Sequence, residues 1–94
     1  VIFIFKMGET QVTDINRAGI QTRPAASIVK LSSKFLSDIY LIRDGFAINA
    51  KSIIGVMTLS AEQGAQLIVR ANGEDEELAT KQIKDLFDSG FGEP

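Results

Sequence analysis

Apolar and polar positions alternate most regularly late in the chain. Leu67, Val69 and Ala71 fall on one side of an extended backbone and Ile68 and Arg70 on the other, which predicts a strand ending at the turn signal Asn72-Gly73. The same two-residue period sets Ile39 and Leu41 against Asp38 and Tyr40 within Ser37 to Arg43. Asp44-Gly45 then reads as a hairpin turn, and Phe46 to Asn49 as the returning strand. A weaker pattern, rich in β-branched residues and interrupted by Asp14, predicts a strand over Gln11 to Ile15, with Asn16 to Gly19 as a loop.

Elsewhere the apolar spacing is helical. Between Thr22 and Phe35, the residues Ala25, Ile28, Val29, Ser32 and Phe35 recur at intervals of three and four and make one helical face. Pro24 is tolerated only in the first turn, where a missing N–H leaves no hydrogen bond unmade, so this helix begins within a residue or two of Gln21. Ser52 opens a short apolar segment, Ile53 to Leu59, closed by Ser60 and predicted as a brief helix. The acidic run Glu74 to Glu77 precedes Ala79, Ile83, Leu86 and Phe87, which share one face of a last helix ending near Ser89-Gly90.

The resulting order is strand, helix, strand, strand, helix, strand, helix, an α+β arrangement with helices on one face of an antiparallel sheet. Residues 8–90 are expected to form the domain, residues 91–94 a tail, and residues 1–7 either an N-terminal extension or an extra strand. The apolar run Val1 to Phe5 is much shorter than the roughly 18 residues that a membrane span requires, so no membrane association is expected and a cytoplasmic location is.

Composition narrows the chemistry. A chain of 94 residues, 45% apolar and 23% charged, fits one soluble domain. Ten basic against twelve acidic side chains give a formal charge of -2, and no basic stripe is present to bind nucleic acid. There is no cysteine and no histidine, which removes disulfides, the usual zinc sites, thiol nucleophiles and every imidazole base. No cofactor or metal site is implied, and without a catalytic set an enzyme is not expected.

Two helix starts carry what chemistry remains. In Gly19 to Ala26, GIQTRPAA, a glycine leads into a helix whose first N–H groups lie beside Arg23, a cheap geometry for holding an anion. In Asn49 to Met57, NAKSIIGVM, Ser52 offers a hydroxyl at a helix start, where an added phosphate is electrostatically favoured. Each can also be read as plain helix capping, and by itself a serine N-cap is structural far more often than functional, since serine is a favoured cap everywhere.

Together these segments, with KFLSDIYL and NGEDEELA in the same order and spacing, resemble HPr, the histidine-containing phosphocarrier of the bacterial sugar phosphotransferase system. The resemblance covers nearly all of Gln11 to Gly90. It implies an HPr-like open-faced β-sandwich, a four-stranded antiparallel sheet in the order 1-4-2-3 with three helices on one face. Where that family carries its phosphorylated histidine, this chain has Gln21. A carboxamide nitrogen is delocalised into its carbonyl and is not nucleophilic, so it cannot accept a phosphoryl group as imidazole does.

Glutamine at this position with Arg-Pro retained is similar to the catabolite repression HPr-like branch of the family. That resemblance implies a regulatory module in carbon catabolite repression, phosphorylated on Ser52 by an ATP-dependent HPr kinase/phosphorylase and then recognised by a transcriptional regulator. It implies a partner surface of Gln21, Thr22, Arg23, Ser52, Ile53, Ile54 and Met57, with phosphotransferase-system enzymes as non-productive partners. Val56 and Leu59 are better placed in the core. Two other readings stay open: a true phosphocarrier in which Gln21 is an engineered or erroneous replacement of histidine, and a degenerate domain that serves only as a structural partner.

Overall fold

The strand with the clearest period sits inside the sheet. Along Gln66–Asn72 (β4), Leu67, Val69 and Ala71 are buried while Gln66, Ile68, Arg70 and Asn72 are exposed, the two-sided pattern of a sheet covered on one face. β4 pairs antiparallel with Glu9–Thr13 (β1) on one side and Asp38–Arg43 (β2) on the other, and β2 pairs with Phe46–Asn49 (β3). The order β1-β4-β2-β3 is the 1-4-2-3 arrangement that the resemblance implied. This computed structural model describes residues 8–17 and 19–92. The Val1 to Phe5 run lies outside the described residues.

Three helices cover the buried face: Thr22–Ser32 (α1), Ile53–Thr58 (α2) and Glu76–Asp88 (α3), with a short 3-10 turn at Gly90–Gly92. α1 packs on α2 and α3, and α3 also packs on β1 and β4. Ala25 and Ile28 of α1, Val56 of α2, and Ala79, Ile83 and Phe87 of α3 close over Val12, Leu41, Leu67 and Val69. Each large side chain fully withdrawn from water contributes about 1.5–3 kcal/mol, so this single core is the main source of stability. The hairpin between β2 and β3 turns at Asp44 (φ 51°) and Gly45 (φ 80°), two consecutive left-handed residues that match the right-handed twist of the strands.

Two predicted boundaries move. α1 stops at Ser32, and its face is completed by a tighter turn in which Lys34 N–H donates to Leu31 O and Phe35 N–H to Ser32 O. Phe35 is therefore buried without being in the helix, because a three-residue turn carries it to the same side. β1 runs over Glu9–Thr13 instead of Gln11 to Ile15. Asp14 ends it, turning inward, fully buried, and using Oδ1 to accept the Asn16 N–H at 3.0 Å.

Candidate functional site

Gln21 occupies the N-cap position of α1 in an extended conformation, and its carbonyl accepts the Ala25 N–H at 2.9 Å. Its carboxamide makes no capping hydrogen bond and is exposed, as are Thr22 and Arg23. The two residues before it hold the chain in place. Ile20 is buried and its N–H donates to Ala61 O at 2.9 Å, while Gly19 has φ +75° and approaches so closely that an added Cβ would lie 2.5 Å from Ala61 O. Only glycine fits that conformation and that gap. The loop thus delivers Gln21 to the surface on a rigid support. Pro24 is the third residue of α1, within the first turn as its chemistry requires.

At the other start, Ser52 caps α2 with its side chain. Its Oγ accepts the Gly55 N–H at 3.1 Å and its carbonyl accepts the Val56 N–H at 2.9 Å. The approach is fixed by Asn49, whose Oδ1 accepts the Lys51 N–H at 2.8 Å and whose carbonyl accepts the Ser52 N–H at 3.1 Å. Ser52 is half-buried, so its hydroxyl is both ordered and reachable. Beyond it the short helix is two-sided. Val56 and Leu59 are in the core, whereas Ile53, Ile54 and Met57 are exposed by 38%, 75% and 43%. Three large apolar side chains in six residues are thus left to solvent around one hydroxyl, a composition suited to an interface.

The two starts occupy opposite ends of the α1–α2 pair. The start of α1 is tied to the loop that follows α2 through Ile20 and Ala61, and the start of α2 is tied to the chain that follows α1, where Lys51 Nζ donates to Phe35 O at 2.8 Å. The exposed face of α2 runs between them, with Ile53 and Ile54 near Ser52 and Met57 one turn further on.

Some contacts that hold this surface were not read from the sequence. Arg43, at the end of β2, donates through Nη1 to Leu59 O and Ser60 O at 3.4 and 3.3 Å, and through Nη2 to both carboxylate oxygens of Glu62 at 2.8 and 2.9 Å. The orphan carbonyls at the end of α2 are met by a side chain 16 residues upstream. Glu62 is held below its ordinary carboxylate range by its own backbone N–H and by Arg43. Within the acidic run, Glu76 and Glu77 lie in the first turn of α3, whereas Asp75 makes contacts outside the helix. Its side chain caps nothing in α3. Its Oδ2 accepts the Leu36 N–H and its Oδ1 the Ser37 N–H, each at 2.9 Å, and Oδ1 also takes the Ser37 hydroxyl. The Ser37 hydroxyl and then the Leu36 N–H hold its carboxyl below the usual range. Because the partners are 38 residues apart in the chain, no local pattern announces them.

Among the described residues no group of three or more His, Cys, Asp or Glu is placed to hold a metal ion, and no helix is long and apolar enough to cross a membrane. A hollow of about 370 Å³ between β1 and α3, lined by Glu9, Thr10, Glu77, Thr80, Lys81 and Lys84, touches neither helix start. The candidate site is surface, not cavity.

Comparison with known proteins gives the same outline. A family model described as "PTS HPr component phosphorylation site" matches residues 9–89. The phosphocarrier protein HPr of Treponema pallidum is 47% identical over 79 residues, covering 84% of this chain and 90% of its own. The HPr-like protein Crh of Bacillus subtilis is 42% identical over 67 residues, covering 71% and 79%. Among solved structures, HPr-C-His from Thermoanaerobacter tengcongensis superposes with a TM-score of 0.88 at 43% identity, covering 92% of this chain and 97% of its own.

Proposed function

The chain belongs to the HPr family, and from that premise we propose that it is a regulatory, non-catalytic member that carries no phosphoryl group at position 21 and is switched by phosphorylation of Ser52. The observation that carries this reading is Gln21, in a chain of 94 residues with no histidine. Phosphoryl relay in this family needs a nitrogen lone pair that can attack phosphorus and later leave it. A carboxamide has none, and no other imidazole is present to substitute.

Ser52 suits the second role on chemical grounds. A phosphate there adds about -1.5 to -2 charge and three strong acceptor oxygens to a surface already carrying Ile53, Ile54 and Met57. A partner needs a cationic group for the phosphate and an apolar pocket for the side chains beside it, and the two together recognise the modified form over the unmodified one. Since Ser52 is already an ordered cap, modification adds charge without requiring α2 to refold. An HPr kinase/phosphorylase is the fitting modifying enzyme, and a transcriptional regulator of carbon catabolite repression the fitting reader. Thr22 and Arg23, exposed beside Gln21, extend the contact surface, and phosphotransferase-system enzymes become non-productive partners. A cytoplasmic location follows from such partners.

The test is phosphorylation with ATP and an HPr kinase. Native protein gains one acid-stable phosphate and Ser52→Ala gains none; undiminished labelling of Ser52→Ala refutes the assignment. The phosphocarriers among the relatives favour a second reading, in which Gln21 replaces an original histidine and the native molecule is a carrier. The codon for position 21 in genomic DNA decides between them.

A further inference from the structure

Asp14 is the one aspartate of the described residues that is fully buried. Its Oδ1 accepts the Asn16 N–H, but its Oδ2 is buried with no hydrogen-bond partner. A buried carboxylate with an unpaired oxygen is costly, and nothing in the proposed function uses it. Its position gives it leverage. The backbone of Asp14 is bonded in both directions to the loop after α2, its N–H donating to Ala65 O at 2.9 Å and its carbonyl accepting the Gly64 N–H at 2.7 Å. From Asp14 the chain runs through Asn16, whose carbonyl accepts the Gly19 N–H, to Ile20, whose N–H again reaches that loop at Ala61 O. The segment that presents Gln21 is therefore clamped to loop 61–65 at Asp14 and again at Ile20, with the carboxyl beneath the first clamp.

The charged group acting on this carboxyl is Glu62, itself engaged by Arg43. Asn16 is uncharged, and Ala61, Gly64 and Ala65 on the facing loop carry nothing that titrates. Both burial and the Glu62 charge therefore disfavour the ionised form, and only the Asn16 N–H favours it.

We propose that Asp14 is a proton-operated latch on the segment that presents Gln21: one proton taken from solvent neutralises the carboxylate and tightens the contacts of Asp14 and Ile20 with loop 61–65. One O–H bond forms on the carboxyl, a solvent acid gives up the proton, and no other covalent bond changes. When the carboxylate is charged, opening the clamp lets water reach it, so the open form gains population. When it is neutral, that advantage is gone. The sign follows from the direction of displacement. Burial holds the folded carboxyl above its ordinary 3.8, so the folded state binds the extra proton. The stabilisation appears as pH falls through the raised value and levels off below the ordinary one, with each unit of displacement worth about tenfold in the open population.

The experiment is a pH series from about 7.5 to about 3.5 on the full chain. Carbon-detected NMR follows the Asp14 carboxyl, and amide exchange, corrected for intrinsic rates, follows Ile20 and Gly64. The native protein shows an Asp14 midpoint above 3.8 and rising protection of both amides on acidification. Asp14→Asn, which keeps an acceptor for the Asn16 N–H and removes the titration, shows protection independent of pH at both amides. An Asp14 midpoint at or below 3.8 overturns the proposal, as do protection profiles that run parallel in native and variant protein. If Asp14→Asn does not fold, Glu62→Gln replaces it. The Asp14 midpoint and the protection onset then move together toward lower pH, and a midpoint that moves while protection stays overturns the latch.

Discussion

Two helix starts in one domain use the same position in opposite ways. At α2 the N-cap side chain is spent on the helix: Ser52 Oγ takes the Gly55 N–H, and Asn49 and Lys51 fix the backbone around it. At α1 the N-cap residue Gln21 gives nothing to the helix through its side chain, although its backbone is anchored through Gly19 and Ile20. The Gln21 side chain is thus exposed on an anchored backbone and does no capping. The Ser52 hydroxyl supports the helix and lies beside exposed apolar residues. On the proposed reading, the first is where the family's chemistry is lost and the second where covalent modification takes place.

Several substitutions sharpen or break that contrast. The largest effect is expected on partner recognition. Ile54→Ala should weaken binding of a reader of the Ser52-phosphorylated form by about tenfold, the scale of a central apolar anchor, as measured by calorimetry. Because Ile54 is 75% exposed, the same change should leave unfolding free energy within about 0.5 kcal/mol. Unchanged affinity would leave α2 as a modification site with no apolar docking face. Next, Ser52→Ala should cost about 1 kcal/mol in urea denaturation, the usual loss of a serine cap, in addition to its loss of phosphorylation.

A contact remote from both starts probes acid stability. The carboxyl of Asp75 is held below its ordinary 3.8, so its contribution to stability is full above that pH and disappears as pH falls through the lowered value. Ser37→Ala removes the hydroxyl that contributes most to this lowering and should make the acid loss of stability shallower, read from urea midpoints between about pH 5 and about pH 2. Asp14, displaced the other way, opposes this trend in the native protein. The smallest effect belongs to Gln21→Ala, which should change stability by less than about 0.5 kcal/mol, since its side chain caps nothing. A cost equal to that of Ser52→Ala would erase the distinction between the two helix starts.

What could be read from residues alone divides by the range of the interaction. β4, the Asp44-Gly45 hairpin and the Ser52 cap are local: a two-residue period, a turn dipeptide and a hydroxyl before an apolar run each state their structure within a few positions. The end of α1 was misplaced because Phe35 continues the helical spacing while reaching the core through a tighter turn. The limits of β1 were misplaced because Asp14, a polar interruption in sequence, is buried in the fold. Asp75 with Ser37 and Arg43 with Ser60 join residues 38 and 17 positions apart, and pairings at that range leave no period to detect. The exposure of Ile53, Ile54 and Met57 was implied by the resemblance, whereas the contacts that hold α2 were not.

Whether position 21 receives a phosphoryl group can be read from intact mass. Native protein and Gln21→His are each incubated with enzyme I of the phosphotransferase system and phosphoenolpyruvate, and intact mass is read before and after acid treatment. Native protein should gain no mass, and Gln21→His should gain one acid-labile phosphate. An acid-labile phosphate on the native chain would show that position 21 is no barrier to phosphoryl transfer.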